Sequence, residues 1–290
     1  MIELKNEKIA VPVVLFAGLL WSFGPLVVRY MDQPQLVPWQ YIFGRGLTIF
    51  IILNLYLYFE EGINFYKNYK KIGKSGLLGG CGLGVAMISF IYSITNTSAA
   101  ITLLCLAAMP FFTALLAFLF LKERISLNVW ISIFIATIGI IIMAFGNTEK
   151  NSVIGFIFGI TSSIGFSIFS VTLRWRKETP KFTTVAVAGL FCFVVATMVI
   201  LTKNQPFFAT SYNSTMFSLH GTLVCLGLIL YSIGSKAIPA AELTLLSLTE
   251  VIGGIFWVWL PLFGINEVPS TNTIVGGFFL FVSIIYYSLI

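Results

Sequence analysis

Residues 99–121 read AAITLLCLAAMPFFTALLAFLFL, an unbroken stretch without a charged side chain. A helix of this length is about 35 Å long, slightly more than the roughly 30 Å hydrocarbon layer of a bilayer. The stretch is followed at once by Lys122, Glu123 and Arg124, whose charges suit the membrane surface. It therefore predicts a membrane-spanning helix, which Pro110 interrupts near its middle.

The rest of the chain has the same apolar character. Of its 290 residues 58% are hydrophobic and 10% charged, with a mean hydropathy of +0.97. Soluble domains carry about 25% charged residues, so a water-soluble protein is excluded. The apolar runs predict an all-α membrane protein of about ten transmembrane helices, near residues 10–31, 38–59, 76–94, 99–121, 127–146, 153–173, 183–202, 219–235, 240–263 and 273–290.

The basic residues are distributed unevenly between alternate loops. If the N-terminus is cytoplasmic, 13 of the 17 Lys and Arg residues lie on that side, whereas only Arg29, Lys150 and Lys203 lie outside and Arg45 falls within a span. The positive-inside rule then predicts both termini in the cytoplasm and a multi-pass protein of the inner, or plasma, membrane. Because orientation accounts for the net charge of +6, no nucleic-acid partner is expected.

Two segments of the chain follow one template. The spacing from Ala100 to Pro110 equals that from Ala241 to Val251, and Trp21 precedes Arg29 by the same offset as Phe166 precedes Arg174. We therefore predict two related halves, although chance similarity among apolar helices is the competing interpretation.

Each predicted half holds five spans, residues 1–148 in the first repeat and 149–290 in the second. Because five is odd, the two halves must have opposite orientations in the membrane. Inverted repeats of this kind place a substrate site near the bilayer midplane and alternate its access by rocking.

The most specific pattern runs from Tyr92 to Pro110 and continues into Phe120–Arg124, with Trp21 and Arg45 preceding it. Matching segments in the second half are Ala240–Val251 and Trp257–Pro269. Together they resemble the EamA type of the drug/metabolite transporter superfamily, over nearly the whole chain. The resemblance implies ten helices in inverted five-helix halves and secondary transport of metabolites such as amino acids, amines, nucleotides or vitamins, but it does not select a substrate. Val251 departs from the family, which often has proline there.

Glu250 is the main candidate for substrate binding. A charged side chain in the hydrocarbon costs at least ~2.5–3.5 kcal/mol, so a mid-helix acid needs a partner or a wet cavity. Helical spacing places Trp257 on the same face, with Gly253 and Gly254 leaving a gap between them. A carboxylate beside aromatic rings suits a cationic or amine-containing solute. Trp21 and Phe166 are predicted to complete the aromatic surroundings.

Other roles of Glu250 stay open at this point. It could pair with Arg45 as part of the scaffold, or carry a coupling proton, because a buried carboxyl group can cycle between its charged and neutral forms. The second substrate hypothesis is export or exchange of aromatic or apolar amino acids. Such a ligand needs a basic group for its carboxylate, and Arg45 is the only deeply placed base.

Three further residues are candidates for substrate binding: Tyr92, Asn96 and Tyr231. They lie near predicted helix ends, where aromatic belts also occur for purely structural reasons.

Other classes of protein find less support in the sequence. An enzyme would need converging titratable groups, yet the single histidine, His220, lies at a predicted helix entrance and no HExxH motif occurs. The four cysteines form no CxxC pair, so we expect neither metal nor cofactor. A non-transporting membrane scaffold is the alternative from another class. The predicted partners are a small-molecule substrate, the lipid bilayer and a coupling proton or ion.

Overall fold

The computed structural model describes residues 6–146, 153–176 and 178–289. Within these residues every regular element is helical, as the apolar pattern predicts. The predicted boundary between the halves, at residues 148 and 149, lies outside the described residues. So do Lys5, Lys150 and Lys177, which contribute to the predicted orientation.

Long helices make up most of the described chain, and several are divided or joined by short turns. The α-helices are α1 (Glu7–Tyr30), α2 (Pro38–Glu61), α3 (Lys67–Lys71), α4 (Gly73–Asn96), α5 (Ala99–Leu106), α6 (Met109–Leu116), α7 (Leu127–Gly146), α8 (Val153–Trp175), α9 (Lys181–Thr202), α10 (Ser211–Gly234), α11 (Ala240–Leu246), α12 (Thr249–Trp259) and α13 (Thr271–Ser288). A π-helical turn, Ala117–Leu121, extends α6.

Eight of the described helical segments are long and apolar enough to cross a membrane. They are Glu7–Tyr30, Pro38–Lys71, Gly73–Asn96, Ala99–Leu121, Val153–Trp175, Lys181–Thr202, Ser211–Gly234 and Ala240–Trp259. Two shorter apolar helices, Leu127–Ile142 and Ile274–Tyr287, pack against each other as parts of α7 and α13.

One predicted helix boundary is wrong. The eighth span is predicted from residue 219, whereas α10 begins at Ser211, so His220 lies within the helix and not at its entrance. The first turns of α10 are polar, which hides them from a search for apolar runs. Their buried polar groups have partners in the fold: Asn213 exchanges hydrogen bonds with the backbone of Asp32, and His220 bonds to Tyr41.

Two helical segments break in their middle. The first break, at Ala107 and Ala108, separates α5 from α6 and precedes Pro110, which has no N–H to bond the Leu106 carbonyl. Side chains of α8 bond carbonyls on both sides of this break. The Ser163 hydroxyl donates to the Cys105 carbonyl at 2.5 Å, and a second serine donates to the Met109 carbonyl.

The second break, at Ser247 and Leu248, separates α11 from α12 without any proline nearby. Here hydroxyl groups of the segment itself bond its carbonyls: Thr244 donates to Ala241, Ser247 to Thr244 and Thr249 to Leu246. Ser and Thr side chains can thus compete with the regular helical pattern. The break forms although Val251 stands where proline was expected from the resemblance.

Helices α4 and α8 pack antiparallel and very closely. Gly79 of α4 lies beside Thr172 of α8, and Gly82 lies beside Gly165. A Cβ atom built on Gly165 would lie 2.6 Å from the Gly82 carbonyl oxygen, so the two backbones touch. Small residues allow this approach, which gives helices in lipid their van der Waals packing.

Two arginines connect helices at opposite ends of the bundle through ion pairs and hydrogen bonds. At the end of α1, Arg29 bonds Glu267 at 2.5 Å and lies close to the Ile94 and Thr97 carbonyls at the end of α4. At the end of α8, Arg174 bonds Glu123 at 2.7 Å. It also donates to the Ser235 and Ile238 carbonyls after α10.

The two junctions are separated by most of the length of α4. Arg29 reaches the last turn of α4, whereas Arg174 follows Thr172, which lies against Gly79 near the first turn of α4. The 24 residues of α4 rise by about 36 Å. We name the two contacts the Arg29 junction and the Arg174 junction.

We predict that Gly165→Ala destabilises the protein by about 1–3 kcal/mol, because the new methyl group meets the rigid backbone of α4. The measurement is the thermal unfolding midpoint in detergent. Gly277→Ala on α13 is the matched control, since nothing lies within 4 Å of a Cβ atom at that position. An unchanged midpoint for Gly165→Ala would show that the α4 and α8 backbones are not in contact.

Candidate functional site

A cavity of about 60 Å³ lies in the middle of the helix bundle. Its wall combines apolar, aromatic and polar side chains from α1, α2, α4, α5, α6, α8, α10 and α12. They are Trp21, Arg45, Leu83, Ala86, Met87, Phe90, Leu106, Met109, Ser162, Phe166, His220, Val224, Leu228 and Glu250. Both helix breaks border the cavity, the first through Leu106 and Met109 and the second through Glu250.

Arg45 contributes a buried positive charge to this cavity. Its side chain is only 5% exposed, and its Nε and Nη1 atoms have no hydrogen-bond partner among the described residues. The guanidinium carbon lies 5.6 Å from the centre of the Phe90 ring, whose face favours a cation. A buried guanidinium with unused donors is costly unless an anionic group binds it.

Glu250 contributes the opposite charge. It follows the break between α11 and α12 directly and is 9% exposed. Within the described part of the chain its carboxylate accepts no hydrogen bond and makes no ion pair with Arg45. The proposed scaffold role, a direct Arg45–Glu250 pair, is therefore not the arrangement that these residues adopt.

The aromatic part of the wall is held by contacts behind it. Trp21 and Phe166, which occupy matching positions in the predicted repeat, meet edge to face with ring centres 5.5 Å apart. Tyr231 packs against both rings from outside the cavity wall, and its hydroxyl bonds Ser170 at 2.7 Å. The Trp21 indole donates to the Val224 carbonyl at 3.2 Å. Tyr231 thus supports the aromatic wall and does not line it.

Trp257 lies away from the cavity, although helical spacing places it on the same face as Glu250. Its indole stacks on Phe23 at 4.7 Å, and its N–H donates to the Ser22 hydroxyl at 2.8 Å. Both partners belong to α1. Trp257 therefore fastens α12 to α1 in this conformation.

Tyr92 and Asn96 lie toward the end of α4, outside the cavity wall. Tyr92 packs between Trp39 and Phe158, with ring centres 5.4 and 5.0 Å away. Asn96 is exposed, and its amide donates to the Tyr92 carbonyl one turn earlier. The structure thus places Glu250, Trp21 and Phe166 together in the cavity and leaves Tyr92, Asn96, Tyr231 and Trp257 outside it.

Two polar residues that line the cavity, Arg45 and His220, are not among the binding residues predicted from the sequence. For Arg45, the cost of a charge in the hydrocarbon is the signal that could have identified it as a candidate. His220 was set aside because the predicted helix began one residue before it. Met87, Phe90 and Met109 carry no distinguishing signal, since they resemble any other apolar residue of a membrane helix.

Comparison with known proteins agrees with this architecture. Residues 8–145 match the EamA-like transporter family. Two curated relatives from Helicobacter pylori, strains J99 and 26695, are each described as an uncharacterized transporter. Each is 25% identical over 249 residues, which cover 83% of this chain and 80% of the relative.

A crystal structure of another protein shares the fold, with a TM-score of 0.73 and 16% sequence identity. The alignment covers 97% of this chain and 96% of that one. The family match, the transporter relatives and the apolar helices lead to one conclusion. The chain is a multi-pass protein of the inner membrane, and over residues 8–145 it is similar to the EamA-like transporter family.

Proposed function

We propose that the protein is a ten-helix secondary transporter built from two inverted repeats, residues 1–148 and 149–290, with both termini in the cytoplasm. Three pairs of features support the repeat: the two mid-helix breaks, the contact between Trp21 and Phe166, and the Arg29 and Arg174 junctions. The shorter apolar helices α7 and α13 would complete the ten spans.

The two junctions support transport by alternating access. Each arginine ends the first helix of one half and bonds a glutamate that follows the fourth helix of the other half. Both junctions are closed here, and the cavity between them is far smaller than the roughly 300–1,000 Å³ of drug-sized sites. We interpret this as an occluded state, from which opening one junction would expose the cavity to one side of the membrane.

The preferred substrate is a zwitterionic amino acid with an apolar or aromatic side chain. The observation that carries this choice is that Arg45 and Glu250 line one cavity without pairing with each other. The carboxylate of the substrate would bind Arg45, its ammonium group would bind Glu250, and its side chain would contact Met87, Phe90 and Met109. No nucleotide-binding motif occurs in the sequence, so a solute or ion gradient would supply the driving force.

A cationic or amine-containing solute, the first substrate hypothesis from the sequence, stays a second candidate. Glu250 and the aromatic wall of Trp21 and Phe166 favour it. The charge of Arg45 in the same cavity opposes it, because a cation would leave that guanidinium without an anionic partner. A zwitterion satisfies both buried charges at once.

We predict that L-phenylalanine raises the thermal unfolding midpoint of the purified protein by several degrees, because a ligand that binds only the folded state stabilises it by mass action. Phenethylamine lacks the carboxylate and 3-phenylpropionate lacks the ammonium group, so each should stabilise less. Arg45→Gln should remove the advantage of L-phenylalanine over phenethylamine. Glu250→Gln should remove its advantage over 3-phenylpropionate.

The double variant Arg45→Gln/Glu250→Gln is the control for folding, because it leaves no unpaired buried charge. If phenethylamine stabilises the parent protein as much as L-phenylalanine does, the result favours the cationic substrate and contradicts the zwitterion. If Glu250→Gln abolishes proton-driven uptake in liposomes but retains exchange and binding, Glu250 carries the coupling proton instead.

We predict that Glu267→Gln and Glu123→Gln shift the protein toward opposite open states, because each removes the ion pair of one junction only. Single cysteines at Met87 or Met109, in a variant without the native cysteines, would report access to the cavity. Glu267→Gln should increase labelling by an impermeant thiol reagent from the side of the Arg29 junction. Glu123→Gln should increase labelling from the side of the Arg174 junction.

Each variant is labelled in two vesicle preparations in which the protein has opposite, known orientations. The labelling of the two preparations is then compared. Equal labelling from both sides for both variants would contradict a role of the junctions in alternating access. The same labelling would also test the orientation, because the side of the Arg174 junction is predicted to be cytoplasmic.

A further inference from the structure

His220, the single histidine of the chain, lies inside α10 and lines the cavity beside Arg45. It is only 2% exposed. Helix α2 holds Tyr41 one turn before Arg45, and α2 packs directly on α10, where Gly221 touches the Arg45 backbone. Tyr41, Arg45 and His220 therefore form one continuous group of polar side chains on the α2–α10 contact.

Tyr41 fixes which nitrogen of His220 carries the proton. The Tyr41 side chain is fully buried, and Phe217 stacks on its ring at 4.7 Å. Among the described residues the only hydrogen-bond partner of its hydroxyl is His220 Nδ1. Among the described residues the buried hydroxyl proton has no other acceptor, which favours Tyr41 as the donor and Nδ1 as the acceptor. A neutral imidazole that accepts at Nδ1 carries its proton on Nε2.

The protonated Nε2 lies on the other side of the ring, beside Gly24 of α1. A Cβ atom built on Gly24 would lie 2.7 Å from Nε2, so only glycine leaves this nitrogen room. Within the described residues Nε2 has no hydrogen-bond partner, and it belongs to a side chain that lines the cavity. The ring thus offers the cavity one N–H donor without adding a second positive charge.

We propose that His220 Nε2–H binds the anionic group of the substrate together with Arg45, and that Tyr41 acts as a positioning residue that holds His220 in this tautomer. The proposal rests on the proposed function, because it assigns a second donor to the carboxylate of the same zwitterion. Two donors from different helices suit the two oxygens of a carboxylate. His220 would thus determine specificity for solutes that carry this group.

The first test compares dissociation constants of L-phenylalanine and phenethylamine, measured by titrating thermal stability, in three variants. His220→Leu removes the donor and should weaken L-phenylalanine binding about tenfold or more, because a hydrogen bond to a charged group is lost. Tyr41→Phe keeps the stacked ring and should weaken it several-fold. His220→Gln, whose amide can still donate, should retain more affinity than His220→Leu.

Phenethylamine binding should change less than twofold in all three variants, since this ligand has no anionic group. An equal loss for both ligands would mean that Tyr41 and His220 only shape the cavity, and it would overturn the proposal. If the parent protein binds L-phenylalanine no more tightly than phenethylamine, or if Arg45→Gln leaves that difference unchanged, the proposed function itself fails. This outcome does not depend on the behaviour of the His220 variants.

The deciding result of a second measurement comes from the parent protein, which avoids variants that might not fold. Because the chain has one histidine, nitrogen NMR of the histidine-labelled protein, purified without a histidine tag, reports one imidazole. We expect an unprotonated Nδ1 and a protonated Nε2 in the parent, and a mixture of tautomers in Tyr41→Phe. L-phenylalanine should shift the Nε2 signal and phenethylamine should not. A protonated Nδ1 in the parent would overturn the assignment.

Discussion

Backbone hydrogen bonding inside a bilayer is the constraint on which this architecture depends. In lipid each unsatisfied peptide group costs several kcal/mol, so irregular backbone survives only where protein groups bond it. The two breaks, at Ala107–Ala108 and Ser247–Leu248, both lie inside the bundle, and hydroxyl groups bond carbonyls around each of them. The interior that tolerates these breaks is also the place where Arg45 and Glu250 can face a cavity. The helix breaks and the candidate site therefore both depend on burial inside the bundle, away from lipid.

The junctions follow from the polarity of helix ends. The C-terminal end of a helix carries partial negative charge on its free carbonyls, which favours a nearby cation. Arg29 lies beside such carbonyls at the end of α4, and Arg174 bonds those after α10. Each arginine therefore keeps its carbonyl partners when its glutamate is lost. In the proposed transport cycle, that arrangement would loosen one junction without leaving the arginine unpaired.

The apolar pattern predicted most helices because length and hydropathy decide what can span a bilayer. It failed at the start of α10, where Asn213 and His220 are polar yet buried against partners from distant segments. Glu250, Trp21 and Phe166 were predicted for the site from charge and repeat position, and they meet in the cavity. Trp257 was predicted from helical spacing alone, which cannot show that Ser22 and Phe23 of α1 occupy that face. The unpaired state of Arg45 depends on the packing of α2 against α4 and α10, and no local pattern in the sequence encodes it.

The charge of the substrate decides whether the membrane potential contributes to the free energy of its transport. A zwitterion bound between Arg45 and Glu250 has no net charge, so its passage alone moves none across the membrane. A cation would gain or lose about 2.3 kcal/mol per 100 mV of membrane potential, which favours entry into a negative cytoplasm and opposes export. In the described part of the chain the cavity holds one positive and one negative group that do not pair with each other, which matches the electroneutral case. For the proposed amino acid, the direction of transport would follow from the gradients of the amino acid and of any coupled proton, and the membrane potential would act only through that proton.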